Sequence, residues 1–262
     1  MNMARRRMGF EELAALVERG DLRQERGDPA GALSEYELAL KEAPDDPMIW
    51  NNRGVALSSL GRYDEAIGSY RKATAIRPGY WLAWFNLGKA MQRKADRSVE
   101  RRAKADKAAG RGAPAVPAPE LADIYEEAIL TYDRALGLNP SHASTLNNKA
   151  VALRTLHRYE EALGVYDELI GIDPLYPHAW YNKGLLLRLL DLRKEADRCF
   201  EAAAGLSPEF AAMDGGTKKA GKSPSRRQPA RDEGSSAGEA EREQTDLRDV
   251  EPPRRARRKV IR

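Results

Sequence analysis

A single cysteine, Cys199, stands in 262 residues, so no disulfide can form within the chain. Histidine is nearly as scarce. His142, His157 and His178 have no cysteine or second histidine at ligand spacing, and no metal site is expected. Glycine forms no phosphate-cradling loop, because Gly215-Gly216 lies in a stretch without the strand and helix that such a loop joins. Long apolar runs are absent; none reaches the about 18 residues that a membrane span needs. Arg5, Arg6 and Arg7 are followed by Glu11 and Glu12 instead of an apolar stretch, so no secretory leader is expected. Together these absences predict a cytoplasmic address. The acidic pairs Glu126-Glu127 and Glu160-Glu161 read as solvated helix starts. A non-catalytic protein without cofactors is expected.

What the chain does have is a period. Pro44, Pro78, Pro140, Pro174 and Pro208 are separated by 34, 62, 34 and 34 residues. Each closes the same pattern. In the stretch 47–80, Trp50, Gly54 and Leu57 fall at helical spacing, Gly61 interrupts, and Ala66, Tyr70, Ala73 and Ile76 make a second apolar stripe. Gly54, Ala66 and Ala73 leave room for two helices to cross closely, and Pro78 ends the second helix. The offsets return as Trp84, Leu87, Gly88 and Met91, resuming at Tyr125, Ala128, Tyr132 and Ala135. They recur as Leu146, Ala150, Leu153, Ala162 and Tyr166, then as Trp180, Gly184, Leu187, Ala196 and Phe200. A weaker first copy reads Leu16, Gly20, Ala32, Tyr36 and Ala39.

This pattern resembles the tetratricopeptide repeat (TPR) family over roughly residues 13–208. The resemblance implies an all-α, right-handed superhelical solenoid of antiparallel helix pairs, with about five units. The predicted boundaries are an N-terminal segment at 1–12, a degenerate first repeat at 13–46, a second at 47–80, a third at 81–142 split by an insertion at about 92–119, then 143–176 and 177–210, with a disordered basic tail at 211–262. Such arrays bind other proteins, so a protein-interaction scaffold is the expected function.

The resemblance also implies where a ligand sits, since the first helices of successive TPR units line a concave groove. The sixth position is Asn in four repeats, Asn52, Asn86, Asn148 and Asn182. Amides both donate and accept, so this ladder could hold the backbone of an extended peptide, as similar ladders do in protein O-GlcNAc transferases. Lys89, Arg93, Arg154 and Arg188 stand around it at groove positions from which acids are missing in repeats two to five. An acidic segment or a free C-terminus is the predicted partner. Phe85, Tyr181, Val55, Val151 and Leu185 are candidate anchors for its side chains. The two-carboxylate clamp of heat-shock co-chaperones is not matched: Val17, Asp21, Leu82 and Asn86 stand where it needs basic residues or Asn.

Three features depart from a plain array. Residues 92–109 are helix formers dense in charge, among them Arg93, Lys94, Arg97, Arg101, Arg102, Lys104 and Lys107. With only Val99 as a larger apolar residue, the stretch is predicted to extend a first helix from Trp81 into solvent, about 43 Å in all, with no face to bury. A Pro/Ala linker then returns the chain. The last 49 residues hold 14 Lys/Arg against 9 Asp/Glu and end in a cluster of Arg254, Arg255, Arg257, Arg258 and Lys259. With the basic arm, this tail supports a second reading, an RNA-associated assembly factor. Finally, Glu209 to Met213 looks too short to cap the last repeat, so Leu192, Phe200 and Leu206 are predicted to form an exposed face for self-association or a partner.

Overall fold

The structure, a computed structural model, describes residues 9–110 and 118–213. The linker at 111–117, most of the basic tail and the first eight residues lie outside the described residues. Among those described, all regular structure is helical. The helices form five antiparallel pairs: α1 (Phe10–Glu25) with α2 (Pro29–Glu42), α3 (Pro47–Ser59) with α4 (Tyr63–Ile76), α5 (Trp81–Ala108) with α6 (Pro119–Leu138), α7 (Ala143–Thr155) with α8 (Tyr159–Ile172), and α9 (Pro177–Leu189) with α10 (Arg193–Leu206). A short α11 (Pro208–Met213) follows. Each pair packs on the next in chain order, giving a right-handed TPR-type solenoid.

Within a pair, the close crossing comes from a missing side chain. A Cβ built on Gly54 would lie 2.6 Å from the Tyr70 ring, and one on Gly88 would lie 2.7 Å from the Tyr132 ring. Gly20 and Gly184 meet Tyr36 and Phe200 in the same way. Between the two helices the chain reverses through one left-handed residue. Gly27 and Gly61 take it in the first two pairs (φ 76° and 70°), but His157 (φ 61°) and Asp191 (φ 60°) take it in the last two. Helix starts are prepared locally. Asp46 accepts from the Met48 amide at 2.7 Å, Asp28 accepts from the Gly31 amide at 2.8 Å, and Pro29, Pro47, Pro119 and Pro177 open their helices.

Between pairs, the tryptophans and prolines of the repeat are partners. Trp50 Nε1 donates to the Pro44 carbonyl at 2.7 Å, Trp84 to Pro78 at 2.8 Å and Trp180 to Pro174 at 2.9 Å. A second set of cross-repeat contacts is ionic. Arg53 pairs with Glu37 at 3.0 Å, Lys149 with Asp133 at 2.6 Å, and Lys183 with Asp167. At the joint between α4 and α5–α6 the pattern changes. Leu87 takes the basic position, and Arg71 instead reaches Glu127 at 2.6 Å.

Two sequence expectations need correction. The inserted stretch does bury a face: Gln92 and Ala95 are buried, and Val99, Ala103 and Asp106 are half-buried on the side of α5 that meets α6. The helix α6 is lengthened to match, beginning at Pro119 and carrying a fully buried Tyr125. Small residues four apart make this seam, so no large apolar residue was needed. The last repeat, for its part, does not expose Phe200, which is 5% accessible under Tyr181 and Arg188. Phe210 of α11 is buried too, with its ring 5.0 Å from Tyr181 and 5.1 Å from His178. It occupies the last position of its repeat, as His142 does against Phe85 at 4.9 Å. Leu192 and Leu206 remain 44% and 37% exposed.

The crossing constraint can be tested with two alanines. Gly68, in α4, has nothing within 4 Å of a built Cβ, so Gly68→Ala is expected to raise the thermal midpoint through about 1 kcal/mol of helix propensity. Gly54→Ala gains the same propensity but must displace Tyr70, an overpacking cost of about 1–3 kcal/mol, and is expected to lower the midpoint. Equal increases in both variants would show that the ring does not constrain the crossing.

Candidate functional site

The predicted ligand-holding residues lie on the first helix of each pair, and the four asparagines do not behave alike. Asn86 Nδ2 donates to Asn51 Oδ1 of the preceding repeat at 3.0 Å, and Asn182 Nδ2 donates to Asn147 Oδ1 at 2.9 Å. Asn52 Nδ2 donates to Asp21 Oδ1 at 3.0 Å, and its own Oδ1 accepts from Asn51 Nδ2 at 3.3 Å. These three amides join neighbouring repeats. Asn148 differs because the residue preceding it across the joint is Phe85, which offers no acceptor. Its side chain instead lines a cleft with Lys89, Gln92, Arg93, Asp96 and Val151, with a volume of about 180 Å³.

One wall of the cleft belongs to α5. The first helices of the second, fourth and fifth pairs run 13 residues, whereas α5 runs 28; Lys89, Gln92 and Arg93 lie within its first 13 residues, and Asp96 lies in the extension. Tyrosines of α6 fix that wall. Tyr132 donates to Gln92 Oε1 at 2.9 Å and Tyr125 to Asp96 Oδ1 at 2.6 Å. Burial pushes the Asp96 carboxyl above its ordinary pKa, against the opposing effects of the Tyr125 bond and the nearby Arg93 charge. Asp96 is an acid that a position-by-position reading missed, because it lies past the point where the insertion breaks the repeat numbering. Asp21 is its counterpart in the first pair, also raised by burial and bonded to Tyr36 at 2.6 Å and to Asn52.

The remaining predicted residues are spread out. Lys89 Nζ lies 5.8 Å from the centre of the Phe85 ring. Phe85 itself is 5% exposed beneath His142 and is no surface anchor. Arg188 stacks over Phe200 at 4.8 Å. Arg154 is half-buried at the equivalent position of α7. Its charge partly offsets the burial that holds the Tyr166 phenol far above its usual pKa. The structure therefore brings Lys89, Arg93 and Asn148 together, and leaves Arg154 and Arg188 beside the second-helix rings of their own repeats. Among the described residues, no group of three or more His, Cys, Asp or Glu is placed to hold a metal ion, and no helix is long and apolar enough to cross a membrane.

Asp96 supplies a test of the cleft's electrostatics. A carboxyl with a raised native pKa favours folding in its protonated form, so its charged form costs stability at pH 7. Asp96→Asn keeps an acceptor for Tyr125 and is expected to raise the urea midpoint at pH 7. That advantage should shrink as the pH falls through the raised value and vanish below about 3.9, the ordinary carboxyl pKa. An offset that is independent of pH would argue against a buried charge.

Comparison with known proteins agrees with this geometry. One tetratricopeptide repeat model matches residues 17–80, 59–94 and 122–177, and a second model of the same repeat matches 177–210. The unmatched interval, 95–121, contains nearly all of the lengthened part of α5 and the first three residues of α6. The BBSome complex member BBS4 of Mus musculus is 31% identical over 74 residues, 28% of this chain and 14% of that protein. A peroxisomal targeting signal receptor from Candida albicans is 38% identical over 53 residues, 20% of this chain and 9% of that protein. Tetratricopeptide repeat protein 33 of Danio rerio is 32% identical over 90 residues, 33% of this chain and 34% of that protein. The similarity thus spans at most about a third of these relatives. Two solved structures share the fold. MamA from Desulfovibrio magneticus RS-1 has a TM-score of 0.61 at 17% identity, covering 77% of this chain and 98% of that one. YrrB, described as a TPR protein with an unusual peptide-binding site, has a TM-score of 0.55 at 18% identity, covering 78% and 91%. With repeat models matched over more than half its length and the helix pairs stacked as those repeats require, this chain belongs to the tetratricopeptide repeat family.

Proposed function

We propose that this protein is a non-catalytic scaffold that holds an extended, carboxylate-bearing segment of another protein along its first-helix face. The family is one of protein-interaction scaffolds, which supports the general role. The finer reading rests on the cleft where Lys89, Arg93 and Asn148 converge between α5 and α7. Two cations and an amide can receive a carboxylate through charge-assisted hydrogen bonds. Asp96, on the same wall, can accept from a backbone N–H of the segment that carries it. Asn148 is the ladder rung that faces this cleft, while Asn52, Asn86 and Asn182 tie repeats together. The names of two similar proteins, a targeting signal receptor and a protein with a peptide-binding site, fit the same kind of ligand.

The test uses fluorescein-labelled twelve-residue peptide pools rich in Asp and Glu, read by anisotropy against length-matched Lys-rich and neutral pools. The acidic pool is expected to bind most tightly. Arg93→Ala and Asn148→Ala should each weaken it by roughly tenfold, the size of one charge-assisted hydrogen bond of about 1.5 kcal/mol. Asn52→Ala should alter stability more than affinity. Equal binding of the Lys-rich pool would rule the acidic ligand out.

A further inference from the structure

The overrun of α5 carries a second charged surface that adjoins the cleft. At about 100° per residue, the buried seam of Ala95, Val99 and Ala103 faces α6, and Arg97, Arg101 and Lys104 fall on the opposite side. The base of this stripe is fixed to the preceding repeat. Lys94 pairs with Asp64 of α4 at 2.5 Å, and Arg97 Nη1 donates to the Gly61 carbonyl at 3.1 Å in the turn between α3 and α4. A carbonyl is neutral, so Arg97 keeps its full charge. Beyond that turn α5 continues, and Arg101 and Lys104 are exposed on the same side. The three cations Arg97, Arg101 and Lys104 span about 10 Å of helix, flanked on one side by Ala105 and Ala108 and on the other by the exposed Glu100, one turn from both Arg97 and Lys104. The other nearby acid, Asp106, is turned toward the α6 side, where Arg102 approaches it at 3.9 Å.

We propose that this ridge docks the phosphate backbone of a nucleic acid. The choice of occupant follows from what the surface lacks. A protein partner would need an apolar core to its contact, with the charges at the rim. The ridge offers three cations, alanine methyls and one flanking acid, Glu100, with no large apolar side chain, which suits a backbone-reading surface that neutralises phosphates without reading bases. Two arginines supply forked donors for phosphate oxygens, and the anchored base holds them at fixed spacing. The ridge adjoins the peptide cleft, since Arg97 stands one turn beyond the cleft residue Arg93, but its outer cations Arg101 and Lys104 are not among the residues that line the cleft.

The experiment uses the full chain with two probes, a fluorescein-labelled 20-nucleotide oligo(U) RNA and a 20-base-pair DNA duplex. Affinity is measured between 50 and 200 mM KCl. Wild type is compared with Arg101→Glu/Lys104→Glu and with Lys72→Glu/Arg134→Glu, an equal charge change at exposed sites elsewhere on the array. The ridge variant is expected to bind at least one probe tenfold or more weakly. Its log–log salt slope should be shallower by about 1.4 for the single strand or about 1.8 for the duplex, two contacts' worth. The control variant should stay within about twofold. An equal loss in both variants would mean that net charge alone is sensed, and an unchanged ridge variant would place all affinity outside α5; either result overturns the proposal, as does the absence of binding to both probes. An acidic-peptide affinity retained by the ridge variant would show that its fold and its cleft are intact.

Discussion

A ring on the second helix of each pair, packed against a first-helix residue with little or no side chain, sets the separation within every pair, and the rest of the stack is built on that separation. Gly20, Gly54, Gly88 and Gly184 meet Tyr36, Tyr70, Tyr132 and Phe200, and a Cβ at any of the four would come within 2.5–2.7 Å of ring carbon or, at Gly88, Thr131 oxygen. Bringing a tyrosine this deep also buries its hydroxyl, which then requires an acceptor. Tyr36 finds Asp21, Tyr70 meets Ser58 and Tyr132 finds Gln92, all on the facing helix of the same repeat. The fourth repeat breaks both halves of the arrangement. Ala150 replaces the glycine, and Arg154, a donor without an acceptor, stands where Ser58 and Gln92 stand. The Tyr166 hydroxyl is accordingly buried with no partner among the described residues. The fifth repeat removes the requirement: its ring is Phe200, and Arg188 stacks on it.

Register between repeats comes from a different set of contacts. The indole-to-carbonyl bonds of Trp50, Trp84 and Trp180 link the start of one repeat to the proline that ends the one before. They give the shared period of tryptophan and proline a physical cause, since each needs the other at a fixed offset. The ionic contacts Arg53–Glu37 and Lys149–Asp133 are partly exposed and contribute little stability singly. Their value is positional. A helix pair slid by one turn would lose these pairings, and at Arg53 the basic Lys41 would stand in place of Glu37.

The period, the helix pairs, the glycine at the second turn, Gly61, and the buried rings were legible in the sequence because each depends on residues of one repeat. What escaped depends on residues a repeat apart, or on small residues. The ladder asparagines bond to side chains 31 to 35 positions earlier, so their intramolecular role has no local signal. His157 and Asp191 hold left-handed turns that glycine marks elsewhere, because the surrounding helices over-determine the backbone there. The seam on α5 looked like uninterrupted charge because alanine at intervals of four contributes little to a hydrophobic pattern, yet it suffices when the facing helix supplies Tyr125 and Ile124. Likewise the end of the array looked bare because Glu209 to Met213 is short, yet its one ring, Phe210, packs on His178 and Tyr181 of α9.

The long α5 also decides how two sites can share one helix. Arg93 in the cleft and Arg97 at the base of the ridge are four residues apart, about 6 Å along the axis. That lies within the Debye length of about 8 Å at physiological ionic strength, so an anion at one site is felt by an anion at the other. The supports of the two sites are nevertheless different. The base of the ridge is held by Asp64 and Gly61 of the preceding repeat, whereas the cleft wall is held by Tyr125 and Tyr132 of α6. Two anionic ligands on α5 would repel each other across that distance, and binding at the proposed ridge would weaken binding at the proposed cleft, less so as added salt shortens the screening length.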